Sequence, residues 1–532
     1  MNNNCNKNIR ARENPIPSGL YFNLAVIAAL ILATVFSSFG QAGYNKTFDL
    51  GLSIRFFAIK ADGDKIYVAG YMTKSLTGHQ SVFVASLDTL GEIMWLTEIE
   101  DDSSSLTISD ESDILIDQNQ NVILPYAYFD RSSIGLATIS PGGVILIKQE
   151  YVQILGSVSS PRDVIEMSDG YLITGWISPP PDYHLDAFIL KTDFDGKQKW
   201  MYTYGYAPFE EYARTITSVN DNEFVISGVR YSLDISSTFY HGWVLTIDSV
   251  GHTKWQWEAN SNDIFNRGIM SMQLDTNRNE WVYASFLQRP TTYPGEDYLV
   301  KIPVLVRRDS AMNFLSHNEY GPYAINHYIG SLQPGFSGGW IACGSYTTTT
   351  DDYESPLKSQ SGRILKISEE DSLIWSVIDT AFFHPVEGSS SYLSGVCESF
   401  SGSVYAVGWA DNFDSNNVYR SYGWLVKSTK DGCIDTLCTT TSIDQEFVSN
   451  NTNHVKIYPN PATDYITIDM EFNLADDYYF ELYNVNGQKV IRKYIDFGAS
   501  IEDIDYLNPG FYYWKVINKN GKRLENGKLI IQ

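Results

Sequence analysis

Four arginines stand at comparable places in this 532-residue chain. Arg55, Arg162, Arg214 and Arg267 each lie 13 to 18 residues before the anchor position of a recurring pattern, at residues 70, 175, 228 and 285. A guanidinium fork binds carboxylate or sulfate bidentately, so arginines gathered at one place would make an anion site. The plainer account is local ion pairing with Asp163, Glu210, Glu211 or Asp263, because a feature that recurs with a repeat signals architecture. A second set, Tyr183, His184, Tyr240 and His241, falls in long connections that also carry Tyr293, Tyr353, Tyr419 and Tyr422. Rings in such loops can stack on sugars or partner surfaces, or simply brace neighbouring units. These eight residues are the candidate ligand-binding set.

Signatures of catalysis are sparse. Gly335-Phe336-Ser337-Gly338-Gly339 matches Gly-x-Ser-x-Gly, but a nucleophile elbow needs a strand before it and a helix after it. Here a strand-like segment, Trp340–Gly344, follows, so the glycines serve a hairpin. None of the eight histidines belongs to a His-Glu-x-x-His pair. Asp193-Phe194-Asp195-Gly196 and Asp275-Thr276-Asn277-Arg278-Asn279 place oxygens at alternate positions, yet lack the acidic residue that completes a calcium loop. Turn chemistry explains them better. No catalytic residue, metal or cofactor is expected.

The elements that would position these residues form a repeat. An apolar strand reaches a glycine, a variable loop follows, and a second strand runs into a turn and a tryptophan. Ile66–Gly70 leads to Val82–Asp88 and Trp95; Tyr171–Gly175 to Ala187–Asp193 and Trp200; Phe224–Gly228 to Trp243–Asp248 and Trp255; Trp340–Gly344 to Arg363–Ile367 and Trp375; Val404–Gly408 to Trp424–Lys427. Weaker copies are centred near Tyr126 and Ser285. The seven anchors, 70, 126, 175, 228, 285, 344 and 408, are spaced by 49 to 64 residues. Four short strands per copy at that period read as β-propeller blades. The last copy lacks a fourth strand, and Tyr44–Leu50 precedes the first copy unassigned. That segment is expected to complete the seventh blade and close the ring. The expected fold class is therefore all-β: a seven-bladed β-propeller followed by a small antiparallel β-sandwich. The repeats are similar to Trp-containing quinoprotein-type bacterial propellers, which implies fold and nothing of activity.

The sandwich is expected at residues 455–532. Its landmarks are Tyr458-Pro459-Asn460-Pro461, the alternating Tyr465–Ile468, the turn signal Asn486-Gly487, Pro509-Gly510-Phe511-Tyr512, and the ending Lys528-Leu529-Ile530-Ile531-Gln532. This stretch resembles the type A C-terminal sorting domain of proteins exported by the type IX secretion system of Bacteroidota. The resemblance implies, as sorting-motif residues, Tyr458, Pro459, Asn460, Pro461, Gly487 and Gly510. It implies as partners the secretion machinery and its sortase, with the mature protein secreted or anchored at the outer-membrane surface.

The other end agrees. Lys7, Arg10 and Arg12 precede an apolar run, Leu20–Phe36, and small residues follow near 40–42, the pattern of a cleaved signal peptide. The run is short for a membrane span. The expected organisation is signal peptide 1–42, propeller 43–438, polar linker 439–454 and sorting domain 455–532. The net charge of −25 disfavours nucleic acid and anionic membranes. Cys433 and Cys438, six residues apart by inclusive count, are a candidate disulfide in an oxidising compartment, while Cys343 and Cys397 read as buried thiols.

The function expected from these features is an exported glycan- or protein-binding module. The alternatives are a secreted polysaccharide hydrolase or lyase on the same scaffold, and a purely structural surface protein.

Overall fold

A glycine recurs where two strands come too close for a side chain. In the computed structural model a Cβ on Gly70 or Gly408 would run into the carbonyl oxygen of Arg55 or Tyr392 on the neighbouring innermost strand. In both cases that strand then shifts register at a β-bulge, between Phe56 and Ala58 and between Leu393 and Gly395. The same shift recurs at Arg162, Arg214 and Gly330. The glycine was expected to end its strand. Instead the strand continues past it, to Thr73 in the first copy and Phe413 in the last, because the bulge absorbs the mismatch and pairing resumes beyond it.

The structure describes residues 43–74, 78–130, 133–152, 158–180, 184–205, 208–232, 240–259, 268–293, 296–321, 326–347, 360–381, 390–413, 418–434, 455–470, 478–484, 489–495, 498–518 and 523–531. Two compact units divide the chain, Met1–Thr441 and Ser442–Gln532. The described part of the first is built from antiparallel meanders. The first is Ser53–Asp62, Lys65–Thr73, Ser81–Leu87 and Ile93–Ile99. In the second the innermost strand is broken into Leu106–Thr107 and Leu115–Ile116, followed by Val122–Tyr128, Ser133–Ile139 and Ile145–Val152. The third runs from Val158–Met167 to Gln198–Tyr204, the fourth from Phe209–Asn220 to Thr253–Glu258, the fifth from Ser271–Asp275 to Phe314–Glu319, and the sixth from Asn326–Pro334 to Leu373–Asp379. The seventh holds Ser390–Glu398, Val404–Phe413 and Tyr419–Ser428, and its outer strand is Tyr44–Phe48 from the other end of the unit. That strand pairs antiparallel with Tyr419–Ser428, from Tyr44 opposite Lys427 to Phe48 opposite Gly423. Innermost strands of consecutive sheets touch, and the innermost strand of the seventh touches that of the first. The unit is a β-propeller closed by its N-terminal strand.

Aromatic side chains repeat the junction between sheets. The indole N–H of Trp95, on the first sheet's outer strand, donates to the carbonyl of Pro141 in the second at 3.1 Å. Tyr151 of the second donates to Gly196 of the third at 2.5 Å, Tyr204 of the third to Gly251 of the fourth at 2.7 Å, and Tyr320 of the fifth to Asp371 of the sixth at 2.7 Å. Trp375 of the sixth reaches Lys430 beyond the seventh at 2.9 Å. At the closure Tyr44 takes the tryptophan's place, against the turn glycine Gly91 of the first sheet. At these five seams the ring buries apolar area while its polar edge finds a carbonyl; at the closure the Tyr44 ring packs in the same way, but its hydroxyl is buried without a hydrogen-bond partner.

The second unit, described by itself, packs a three-stranded sheet (Val455–Tyr458, Tyr465–Met470, Gly498–Asp503) and a four-stranded sheet (Tyr478–Asn484, Lys489–Ile495, Gly510–Asn518, Arg523–Ile531) around one core. Ile466 and Ile468 are buried and Tyr465 is exposed, as the alternation predicts. Asn460 extends the pairing of the last strand with its side chain: its Nδ2 donates to the Lys528 carbonyl at 2.8 Å, and its Oδ1 accepts from the Ile530 N–H at 3.0 Å. Gly487 lies outside the described residues.

Candidate functional site at the channel mouth

The innermost strands start at one rim of the propeller, and connections between second and third strands return to it. Two of those connections are less open than expected. Gln288–Asp297 is largely paired, Tyr293 standing opposite Glu296, and in the last copy pairing continues to Phe413 opposite Tyr419.

The arginines do not form one cluster. Arg162 and Arg214 occupy the bulges of the third and fourth sheets and converge on Glu111. Arg162 also donates to the Asp110 carbonyl. The acids arrive on the segment that interrupts the second sheet's innermost strand, where Glu111 adopts φ 70°. Burial pulls the Arg162 guanidinium down; for Arg214 burial is outweighed by Glu111, which raises it. Arg55 is held elsewhere. It lies over the Trp409 ring at 5.2 Å and contacts Asp411 at 3.2 Å and Ser421 at 3.1 Å. Trp409 in turn stacks with Tyr392, centroids 4.9 Å apart. Arg267 lies outside the described residues. Arg162 and Arg214 pair with Glu111 and Asp110 rather than with Asp163, Glu210 or Glu211, and Asp263 lies outside the described residues.

Glu211 serves another arginine. Fully buried, it meets Arg230 Nε at 2.9 Å, and Arg230 reaches Glu258 at 2.8 Å. Burial, opposed by Arg230 and reinforced by Asp186, pushes the Glu211 carboxyl up to about 7. His184 adjoins Asp186 and Glu210, whose carboxyls burial also raises. His241 stands opposite Arg230 in the ladder. Tyr183 and the side chain of Tyr240 lie outside the described residues, as does Cys438; Cys433 is half-buried.

Below the mouth the channel narrows to a cavity of about 40 Å³ lined by Glu111, Asp113, Asp163, Arg214 and Gln333, among others. Lys60 meets Asp113 at 2.5 Å, and Gln333 approaches the same carboxylate at 3.4 Å from the sixth sheet. Asp163 accepts the Ile216 N–H at 2.9 Å, and burial together with Asp113 pushes its carboxyl up to about 7. Asp110, Glu111 and Asp113 were missed in the sequence because they sit in the weakest copy of the repeat. The signal was there, three acids within Asp110-Glu111-Ser112-Asp113 where a strand was due. Gly335–Gly339 forms a hairpin turn, with Gly338 and Gly339 at φ 90° and 67°, so Ser337 is not an elbow nucleophile. Among the described residues no group of three or more His, Cys, Asp or Glu side chains is arranged to hold a metal ion.

Comparison with known proteins fixes the tail. Residues 456–532 match the family described as "Secretion system C-terminal sorting domain". The protein carries a type IX sorting domain and is exported to the extracellular or cell-surface space. No curated protein matches the chain. Solved structures similar to it include Drosophila Semaphorin 2a (7% identity, TM-score 0.45, covering 92% of this chain and 97% of that one). Others are the β-propeller domain of the Trilobed protease from Pyrococcus furiosus (8%, 0.37, 76% and 100%) and the subtype N11 neuraminidase-like protein of A/flat-faced bat/Peru/033/2010 (10%, 0.35, 74% and 96%). Among the described residues no helix is long and apolar enough to cross a membrane.

Proposed function

We propose that the propeller is an extracellular binding module that takes an uncharged glycan or a protein surface at the rim carrying Arg55. The reading rests on the pairing of the arginines with acids of their own chain. Arg55 has Asp411, and Arg162 and Arg214 have Glu111 and Asp110, so among the described residues these three arginines give the mouth no surplus positive charge for an anion. What it does offer is a partly exposed guanidinium on an indole, with Tyr419 52% exposed on the adjoining hairpin. Planar groups of this kind stack on sugar faces and anchor protein interfaces. In this reading residues 1–42 are removed on export, 439–454 tether the propeller, and the secretion machinery and its sortase act on 455–532.

The test is array binding by the exported chain, glycans beside surface proteins, with Arg55→Ala and Tyr419→Ala in parallel. Binding that falls at least about tenfold in both variants, the loss of about 1.4 kcal/mol, supports the reading. Binding that is unchanged in both, or confined to sulfated and carboxylated glycans, ends it.

A second reading, polysaccharide hydrolysis, has one observation in its favour. Asp113 and Asp163 line the same cavity, and the raised Asp163 would be a serviceable general acid near neutral pH. The cavity holds only about 40 Å³, space for a few waters. Binding therefore ranks first. Release of reducing sugar by the wild type but not by Asp163→Asn would reverse that order.

A further inference from the structure

The four-stranded sheet of the sorting domain has one face on the core and one turned away from it. Phe480, Leu482, Trp514, Val516 and Leu529 belong to the core, so strand alternation turns Glu481, Tyr513, Lys515 and Lys528 outward. Antiparallel sheets commonly leave such a face to solvent, but on this one charge is sorted. Residues 455–532 hold nine Lys and Arg against eleven Asp and Glu. At the described outward positions of the sheet, four cations, Lys489, Arg492, Lys515 and Lys528, stand with one acid, Glu481. We propose that this face docks an acidic surface on a protein of the type IX export machinery.

The cations are held in place and left accessible. Glu481 is 2% exposed, with Lys489 at 2.9 Å, Lys515 at 3.4 Å and Arg492 at 3.6 Å, and the Tyr483 hydroxyl donates to it. Burial opposes its charge, but Tyr483 and the two lysines outweigh burial and hold the carboxyl below its usual range. One carboxylate cannot neutralise three cations, so positive charge is left over. Their side chains remain 38 to 49% exposed, open to a partner. Rings brace them: the Arg492 guanidinium lies over Tyr479 at 4.7 Å, and Lys515 Nζ over Tyr483 at 5.1 Å. Long side chains fixed in advance lower the ordering cost of association. Tyr494 and Tyr513, both half-exposed, extend the face, and tyrosine and arginine are the residues that anchor protein interfaces. Charge then selects the partner. A chain of net charge −25 repels an acidic protein over most of its surface, whereas this face attracts one and fixes its orientation. The export machinery is the protein class that handles this domain, and a face four strands wide suits a protein surface.

The experiment follows the full chain in cells that export it. Arg492→Gln combined with Lys528→Glu should cut the exported fraction at least about fivefold, since complementary charge sets the rate of encounter. Lys493→Gln is the comparison. That lysine stands opposite the buried Phe480 and pairs with Glu502 of the other sheet at 2.8 Å, so its loss should leave export unchanged. Thermal unfolding of the chain recovered from the cells should match the parent in both variants. A benzoylphenylalanine placed at Tyr513 and irradiated during export should cross-link to an acidic peptide of a protein without which export stops. This cross-link decides the matter if the double variant does not fold. Parental export of a folded double variant overturns the proposal, as does an equal loss in Lys493→Gln. A cross-link to a glycan, to a basic peptide, to the chain itself or to nothing also overturns it. Arg55→Ala, which tests the propeller rim, should be exported like the parent, so the two readings fail separately.

Discussion

Glu111 on the second sheet pairs with Arg214 on the fourth. The contact passes over the third sheet, whose Arg162 shares the same carboxylate. One acid therefore ties three consecutive sheets at the channel mouth, and both guanidiniums are largely shielded from water. Glu111→Gln should lower unfolding free energy by about 3 kcal/mol, since it leaves the buried Arg214 without its anion and Arg162 with Asp110 alone. Arg162→Met should cost less, because Glu111 keeps Arg214. Urea denaturation of the two variants tests this order; a Glu111→Gln protein as stable as the parent would show the triad to be energetically idle.

Stability should fall from pH 5 to pH 8. Asp163 and Glu211 both rise to about 7 in the folded protein, from 3.8 and 4.5. A carboxyl raised on folding holds its proton more tightly in the native state. Its contribution is complete below the unfolded value and is lost as pH climbs through about 7. The expected outcome is a lower urea midpoint at pH 8 than at pH 5, with a shallower fall in Asp163→Asn and in Glu211→Gln. A midpoint that rises over this interval would contradict both assignments.

The buried thiols should be silent. Cys343 and Cys397 are free and buried, and burial pushes both thiols up, Cys397 to about 12. A thiol so placed carries almost no thiolate at neutral pH. Ellman's reagent should label neither in the native exported protein and both after unfolding. If Cys433 and Cys438 are bridged, as we propose, denatured non-reduced protein yields those two thiols alone; four would exclude the bridge.

The architecture was more legible than the site. Anchor glycines, Asp-Gly turns and outer-strand tryptophans each answer to a local steric or packing need, so the repeat shows in the sequence. The missing fourth strand of the last copy likewise pointed to Tyr44–Leu50, and Tyr44–Phe48 pairs there. The site depends instead on where the repeat fails. Arg162 and Arg214 were visible because they sit at the same bulge in two good copies. Their acid was not, because Glu111 occupies a break in the second sheet's innermost strand, where no period marks its direction. Arg55 stands two positions before its own bulge residue, Phe57, so a shared spacing from the anchor concealed a different neighbourhood: Trp409 and Asp411 instead of Glu111.

Closure of the ring supports every placement above, because it sets the innermost strands around one axis. Hydrogen-exchange mass spectrometry of the exported protein tests it most directly, comparing amides 44–48 with their partners 423–427. The account predicts protection of 44–48 comparable to that of the outer strands Ile93–Ile99 and Gln198–Tyr204, with both segments of the seam opening together as denaturant is added. Exchange of 44–48 at the rate of an unstructured peptide, while 423–427 stay protected, would show that the seventh sheet has no such fourth strand.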